Sequence, residues 1–140
     1  MRQEEKQLLL KDLCARLPYG VKCVFHGKDG CIPSTILRVD VENEFVMFAN
    51  RPDTQKDKSS SYLHLIEHIK PYLRPMSSMT EEEKEDYVSL SNHCVNTSVG
   101  FAYLEAQVLV EWLNFHHFDY RGLIEKSLAI IAPEGMYKTE

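Results

Sequence analysis

Trp112 to Pro133 read WLNFHHFDYRGLIEKSLAIIAP, and this stretch decides the architecture. It holds the chain's single tryptophan, adjacent histidines at 116 and 117, and the aromatic–acid–aromatic–basic run Phe118-Asp119-Tyr120-Arg121. The pattern predicts the end of one amphipathic helix, a tight bend, and a second short helix over 120–129. That second helix exposes Glu125 and Lys126 and buries Leu123, Ile124 and Leu128. Asp119 is placed to cap it by accepting a backbone N–H. Tyr120 and Arg121 then pack or pair with a β layer, or form a recognition edge, since Tyr and Arg dominate binding hot spots.

Immediately upstream, residues 101–116 form the helix that ends in this bend. Phe101, Leu104, Val108, Trp112 and Phe115 make one apolar stripe, and Ala102, Ala106, Leu109 and Leu113 widen it, which predicts a helix central to the core. Asn96-Thr97-Ser98-Val99-Gly100 separates it from a preceding helix that starts at Thr80 and runs to about Cys94 or Val95. Thr80 with Glu83 three residues on is a capping box, and Glu81 to Glu83 suit the positive helix N-terminus.

Ahead of the helical section (80–130) lies a β section (21–75). Val21 to Phe25 is rich in strand formers, and Gly27-Lys28-Asp29-Gly30 is a turn signal. Thr35 to Val41 puts Leu37, Val39 and Val41 on one face, Glu42-Asn43 offers a tight turn, and Glu44 to Ala49 returns, which makes an antiparallel meander. Pro33 precedes the regular part of the second strand, where it disturbs the ladder least. Residues 51–61, RPDTQKDKSSS, read as an exposed loop. Tyr62 to His68 fits a strand or a short helical turn, while Pro71 and Pro75 force 69–75 to be extended. The chain opens with a helix over Gln3 to Arg16, whose Leu9, Leu10 and Leu13 continue in Leu17 and which Pro18-Tyr19-Gly20 ends. The expected fold is a single α+β domain: an N-terminal helix, a small antiparallel sheet or partly closed β-barrel, and a C-terminal helical group packed on it.

The 140 residues, 44% hydrophobic and 26% charged, place the chain in the globular class, long enough to bury a core without metal or disulfide staples. A formal charge of -5 argues against binding nucleic acid through many phosphates and against docking on an anionic membrane. The run Leu8-Leu9-Leu10 is too short for a signal peptide, and no apolar run approaches the roughly 18 residues of a membrane span, so a cytoplasmic protein is expected. Cys14, Cys23, Cys31 and Cys94 form no CxxC pair and read as reduced thiols, with a Cys23–Cys31 link across a hairpin as the alternative.

No constellation of residues marks an enzyme. His116, His117 and Asp119, joined by His93 and Cys94, are the candidate metal ligands, but consecutive side chains at a helix end diverge and no HExxH accompanies them. The expectation there is one histidine at the helix C-terminus and the other facing water. Cys94 beside His93 is adjacent in sequence, not in side-chain space, and Glu81 to Asp86 reads as a solvated face. Phosphate-cradling and GxSxG motifs are absent from the sequence, and no metal or cofactor is expected. The helix–turn–helix look of 101–129 offers bases only Arg121 and Lys126.

Three stretches carry a family resemblance: LLLKDLCARLPYGVK (8–22), IKPYLRPMSSMTEEEK (69–84) and WLNFHHFDYRGLIEKSLAIIAPEGMY (112–137). They are similar to a family of short proteins from gut anaerobic, Bacteroides-like bacteria and their phages. The resemblance covers under half of the chain. It implies a shared frame around a variable β section, often encoded on mobile elements, with glycine where this chain has Ser127. It implies no activity, cofactor or catalytic residue.

The leading expectation is therefore a non-enzymatic protein-interaction module of phage or mobile-element origin, acting on a protein partner, with self-association compatible. Its candidate interaction surface is Tyr62, His64, Tyr72, Arg74, Tyr120 and Arg121. One alternative is a small-molecule, nucleotide-like binding or sequestering protein whose pocket draws on Tyr62, His64, His68, Tyr72 and Arg74. The other is a weak DNA-binding regulator.

Overall fold

The computed structural model describes residues 1–25, 33–48, 63–96 and 99–137, with side chains at 25, 63, 93–96 and 99–105 outside that description. The turn signal at 27–30, Cys31, the loop at 51–61 and Tyr62 therefore lie outside the described residues, as do the side chains of His93 and Cys94.

Helix α1 spans Gln3–Arg16 and buries Leu9, Leu10 and Leu13, as the leucine spacing predicts. Asp12 and Arg16 share that face and are also fully buried. A 3-10 turn over Leu17–Tyr19 closes on Gly20, whose φ of 71° is the left-handed conformation that glycine adopts without strain. Strand β1 (Lys22–Phe25) follows, then β2 (Ser34–Asp40), β3 (Phe45–Phe48), β4 (Leu63–Leu65) and β5 (Ile69–Leu73). Between β4 and β5 lies one 3-10 turn, Ile66–His68, so the segment that fitted either a strand or a helical turn is one followed by the other.

The sheet is open, with strand order β4-β3-β2-β1-β5-β6, where β6 is Ile130–Ile131. Neighbours are antiparallel except β5 and β6, which run parallel. No ladder joins β4 to β6 among the described residues, so the sheet is open, although the short link from β4 to β5 shows that it curls. Pro71 lies inside β5, opposite Cys23 of β1; β6 pairs only with Tyr72 and Leu73, which leaves the proline without a strand on its other side.

One expected face is overturned. The β2–β3 register shifts between Ile36 and Arg38. That irregularity turns Leu37 outward and leaves Ile36 buried, so Leu37 (54% exposed) and Val41 (52%) do not share a buried face with Val39.

Helix α2 is Glu81–Asn96 and α3 is Val99–Phe115. The capping box forms: Thr80 N–H donates to Glu83 Oε1 (2.9 Å) and Glu83 N–H donates to Thr80 Oγ1 (3.2 Å). The main core joins α1 leucines to Val21, Cys23, Ile36, Val46, Phe48, Ile66, Ile69, Leu73, Leu123 and Leu128, and includes no described residue of α2 or α3. Helix α3 is thus not central. Leu113 and Asn114 are buried, whereas Val108 (47%) and Phe115 (54%) face solvent from the stripe expected inside. The two helices pack chiefly on each other, with Tyr87 against Trp112.

The predicted second helix is cut to one turn. At the end of α3, Phe118 N–H bonds to Leu113 O (3.0 Å) and His117 N–H to Asn114 O (3.1 Å), with His117 at φ 62°. Ten residues later the same closure recurs: Leu128 N–H bonds to Leu123 O (2.9 Å) and Ser127 N–H to Ile124 O (3.1 Å), with Ser127 at φ 61°. Both are Schellman endings, which close a helix by placing one residue in the left-handed region. Phe118 follows the first closure and stacks on Trp112, the hydrophobic contact such endings favour. The second closure leads directly into β6, a strand too short to show in the sequence pattern.

Candidate functional site

A groove of about 820 Å³ lies between the start of α2, the end of β5, and the segment that follows β6. Its floor is built by Arg74. The chain there pairs as an isolated parallel bridge with Phe118: Arg74 N–H donates to His117 O and Asp119 N–H to Arg74 O, both at 2.8 Å. The guanidinium lies 4.3 Å from the Phe118 ring centroid and forks onto Glu83, with Nη1 to Oε2 at 2.8 Å and Nη2 to Oε1 at 2.7 Å. A bidentate guanidinium–carboxylate pair is strong and fixed in orientation. With the Thr80 N–H as a further donor, it holds the Glu83 carboxyl down to about 2.

His116 completes the floor. Its ring lies tilted against Trp112 (4.6 Å between centroids), and its Nδ1 lies 3.4 Å from Glu83 Oε2 without forming a hydrogen bond. Burial lowers its basicity more than the nearby Glu83 raises it. His117 turns the other way, 3.6 Å from the Tyr137 ring and nearly parallel to it. Burial first, and then the Arg16 charge, push His117 down to about 4. His117 is buried and His116 is half-buried in the groove lining, so neither ring is the freely water-facing one expected of that pair.

The far wall is the segment 131–137. Ala132 N–H extends the pairing to Leu73 O (2.8 Å). Tyr137 then inserts its hydroxyl between β1 and β5, donating to Tyr72 O (2.7 Å) and accepting from Lys22 N–H (2.8 Å). Burial raises that hydroxyl's pKa well above the ordinary phenol range. Glu82, Asp86 and Glu134 line the groove, are exposed, and make no ion pair among the described residues. Since Glu83 neutralises Arg74, the groove carries a surplus of three carboxylates.

The sequence-derived candidates divide. Arg74 forms the floor and the Tyr72 carbonyl anchors the wall. His64 sits on the Phe48 ring (5.4 Å) in β4, which a three-residue 3-10 turn joins to the His68 end of β5, the end away from Arg74. His68 and Arg74 flank opposite ends of β5, roughly 20 Å apart. The pocket imagined from His64, His68, Tyr72 and Arg74 is therefore not assembled.

Tyr120 and Arg121 belong to a separate buried cluster and pair with helices, not with the β layer. Arg121 Nε donates to Asp12 Oδ1 (3.1 Å), Tyr120 Oη donates to Asn114 Oδ1 (2.8 Å), and Arg121 Nη2 donates to Tyr120 Oη (3.1 Å). Asp12 also takes Arg16 Nε at 2.8 Å. Asp119 caps the following turn as predicted, accepting Leu123 N–H and Ile124 N–H at 2.9 Å each. With its oxygens so occupied and the two histidine rings diverging, His116, His117 and Asp119 do not converge; among the described residues no group of three metal-type ligands forms.

Several contributors escaped the sequence reading: Tyr137, Glu134, and the Asp12–Arg16 pair. Asp12 and Arg16 carried a signal, since the helical period places both on the Leu9–Leu13 face. Tyr137 carried none, because its partners are far away in sequence. Among the described residues no helix is long and apolar enough to cross a membrane. No family model, curated protein or solved structure matches the chain.

Proposed function

We propose that the protein is a non-enzymatic interaction module that receives a basic, extended segment of a partner protein in the groove. The observation that carries this reading is the charge of the lining. Glu82, Asp86 and Glu134 stand unneutralised around a floor that is rigid because Arg74, Glu83, Phe118 and Trp112 lock one another. Lysine or arginine side chains would meet those carboxylates, while apolar residues of the segment would lie along Pro75, Ile131 and Pro133. Strand β6 ends the sheet beside the groove, with Ile131 exposed, so the incoming backbone has an edge with which to pair.

The same lining opposes a nucleotide-like ligand, whose phosphates would be repelled by the surplus carboxylates, and the overall charge of -5 weighs against DNA. A cytoplasmic setting and an origin on a phage or mobile element belong to this proposal, the latter supported by the family resemblance alone.

The test is fluorescence anisotropy with a labelled lysine- and arginine-bearing peptide and its glutamate-substituted counterpart. The expected result is saturable binding of the basic peptide alone, weakened by salt and abolished by the double variant Glu82→Lys/Glu134→Lys. Equal binding of both peptides, or binding indifferent to that variant, would overturn the reading.

A further inference from the structure

Of the residues that line the groove, His116 alone is of a type that titrates near neutral pH. Its Nδ1 lies 3.4 Å from Glu83 Oε2. Charges face the ring from two elements. Glu83 and Asp86 act on it from α2 and favour its cation, while Arg74 acts from the end of β5 and opposes it. On its own helix and the bend beyond, its neighbours are the uncharged rings of Trp112, Phe115 and Phe118. His117, next in the chain, is held neutral down to about 4 and so adds no charge above that. Glu82, Glu134 and the Tyr137 hydroxyl complete the titratable groups of the lining, and burial keeps that hydroxyl protonated.

Burial has the largest effect on His116 and keeps the ring mostly neutral at pH 7. A proton changes the groove in a defined way. The imidazolium carries a hydrogen on Nδ1 whichever tautomer preceded it, and Glu83 Oε2 is the acceptor beside it. A carboxylate oxygen accepts two hydrogen bonds, so Oε2 keeps Arg74 Nη1 (2.8 Å) as well and the floor retains its shape. Only the charge changes: one cation is added to a lining that carries a surplus of three carboxylates. We propose that His116 is the groove's proton switch, on which a proton and a basic partner segment oppose each other, so that acidification loosens the partner. The proposal rests on the groove's reading as the seat of such a segment. The opposition is mutual. A lysine or arginine beside Glu82, Asp86 and Glu134 makes a further cation on the ring less favourable, and by linkage the proton weakens the segment to the same degree.

The test repeats the anisotropy titration with the lysine- and arginine-bearing peptide from about pH 7.5 to about pH 5, and follows the His116 ring by NMR with and without that peptide. Affinity should fall about three- to tenfold over this range, the size expected when one unit charge is added to a partly hydrated groove. His116→Gln, which cannot take the proton, should lose most of that change. In the wild type, saturating peptide should lower the ring's titration midpoint by the equivalent amount, which is the same coupling read from the other side. Three results would each overturn the switch alone: binding that does not respond to pH, a His116→Gln variant that responds as fully as the wild type, or a midpoint that the peptide leaves in place. Absence of peptide binding at every pH would overturn the reading of the groove, and the switch with it.

Discussion

Removing Asp12 should destabilise the protein far more than removing both Asp12 and its partner. Asp12 and Arg16 are each fully buried, and Asp12 takes guanidinium N–H groups on both of its oxygens. Asp12→Ala strands Arg16 as an uncompensated buried charge, which typically costs about 3–5 kcal/mol. A 140-residue chain has a total stability on the order of 10 kcal/mol, so this is a large fraction of it. Changing Arg16 to Met as well removes the stranded charge and fills most of its volume. What remains is the Phe118 carbonyl, which loses its 2.6 Å donor at about 1–3 kcal/mol. Arg121, partly exposed, can turn toward water. The double variant should therefore be more stable than Asp12→Ala alone by about 2 kcal/mol. Urea unfolding of the wild type, both single variants and the double variant would measure the cycle, with an unchanged m-value showing that the same surface is exposed. If Asp12→Ala lost under about 1 kcal/mol, or if Arg16→Met simply added to it, the pair would not be sealed from water as described.

Ser127→Gly should stabilise the protein by about 0.5–1 kcal/mol in the same assay, because φ 61° strains serine more than the added glycine freedom penalises the folded state. The same change at His117 should instead cost about 1 kcal/mol, since it also removes a buried ring stacked on Tyr137. Tyr137→Phe leaves the Lys22 N–H and the Tyr72 carbonyl without their shared hydroxyl and should cost about 2 kcal/mol. Stability should fall with pH in two windows. His117 is held neutral at about 4, so the unfolded chain binds its proton first, and stability drains as pH drops from about 6.5 to about 4. Glu83 is held ionised down to about 2, so its contribution is complete above about 4.5 and is lost as pH falls to about 2. Chemical denaturation across pH should show Glu83→Gln flattening only the lower window, and His117→Gly only the upper.

What the sequence revealed was local. The leucine spacing of α1, the Thr80–Glu83 box and the Asp119 cap each rest on residues within a turn or two, and each appears as read. Helix α3 was misjudged because both of its stripes are apolar, and periodicity alone cannot say which stripe meets the body; Leu113 does, while Val108 and Phe115 do not. The last helix failed because its pattern of Leu123, Ile124 and Leu128 fits one closed turn as well as three open ones. The groove was not legible at all. It exists only where residues 74–86, His116 and residues 131–137 meet, three segments that lie far apart in sequence. Arg74 was singled out for its type, and only the fold showed that Glu83 already occupies it.

The bond from Arg16 to Phe118 spans 102 residues. A ribosome adding about 5–20 residues per second needs roughly 5–20 s to cover that interval. Throughout it, the first helix to emerge displays an arginine and an aspartate whose carbonyl and second guanidinium have not yet been made. The leucine face can settle against the early strands, but the electrostatic lock closes only when the bend after α3 arrives. Nascent chains stopped short of residue 118 should therefore remain open to proteases and chaperones even with β1 to β5 paired, and the last quarter of the chain acts as the latch for its first sixteen residues.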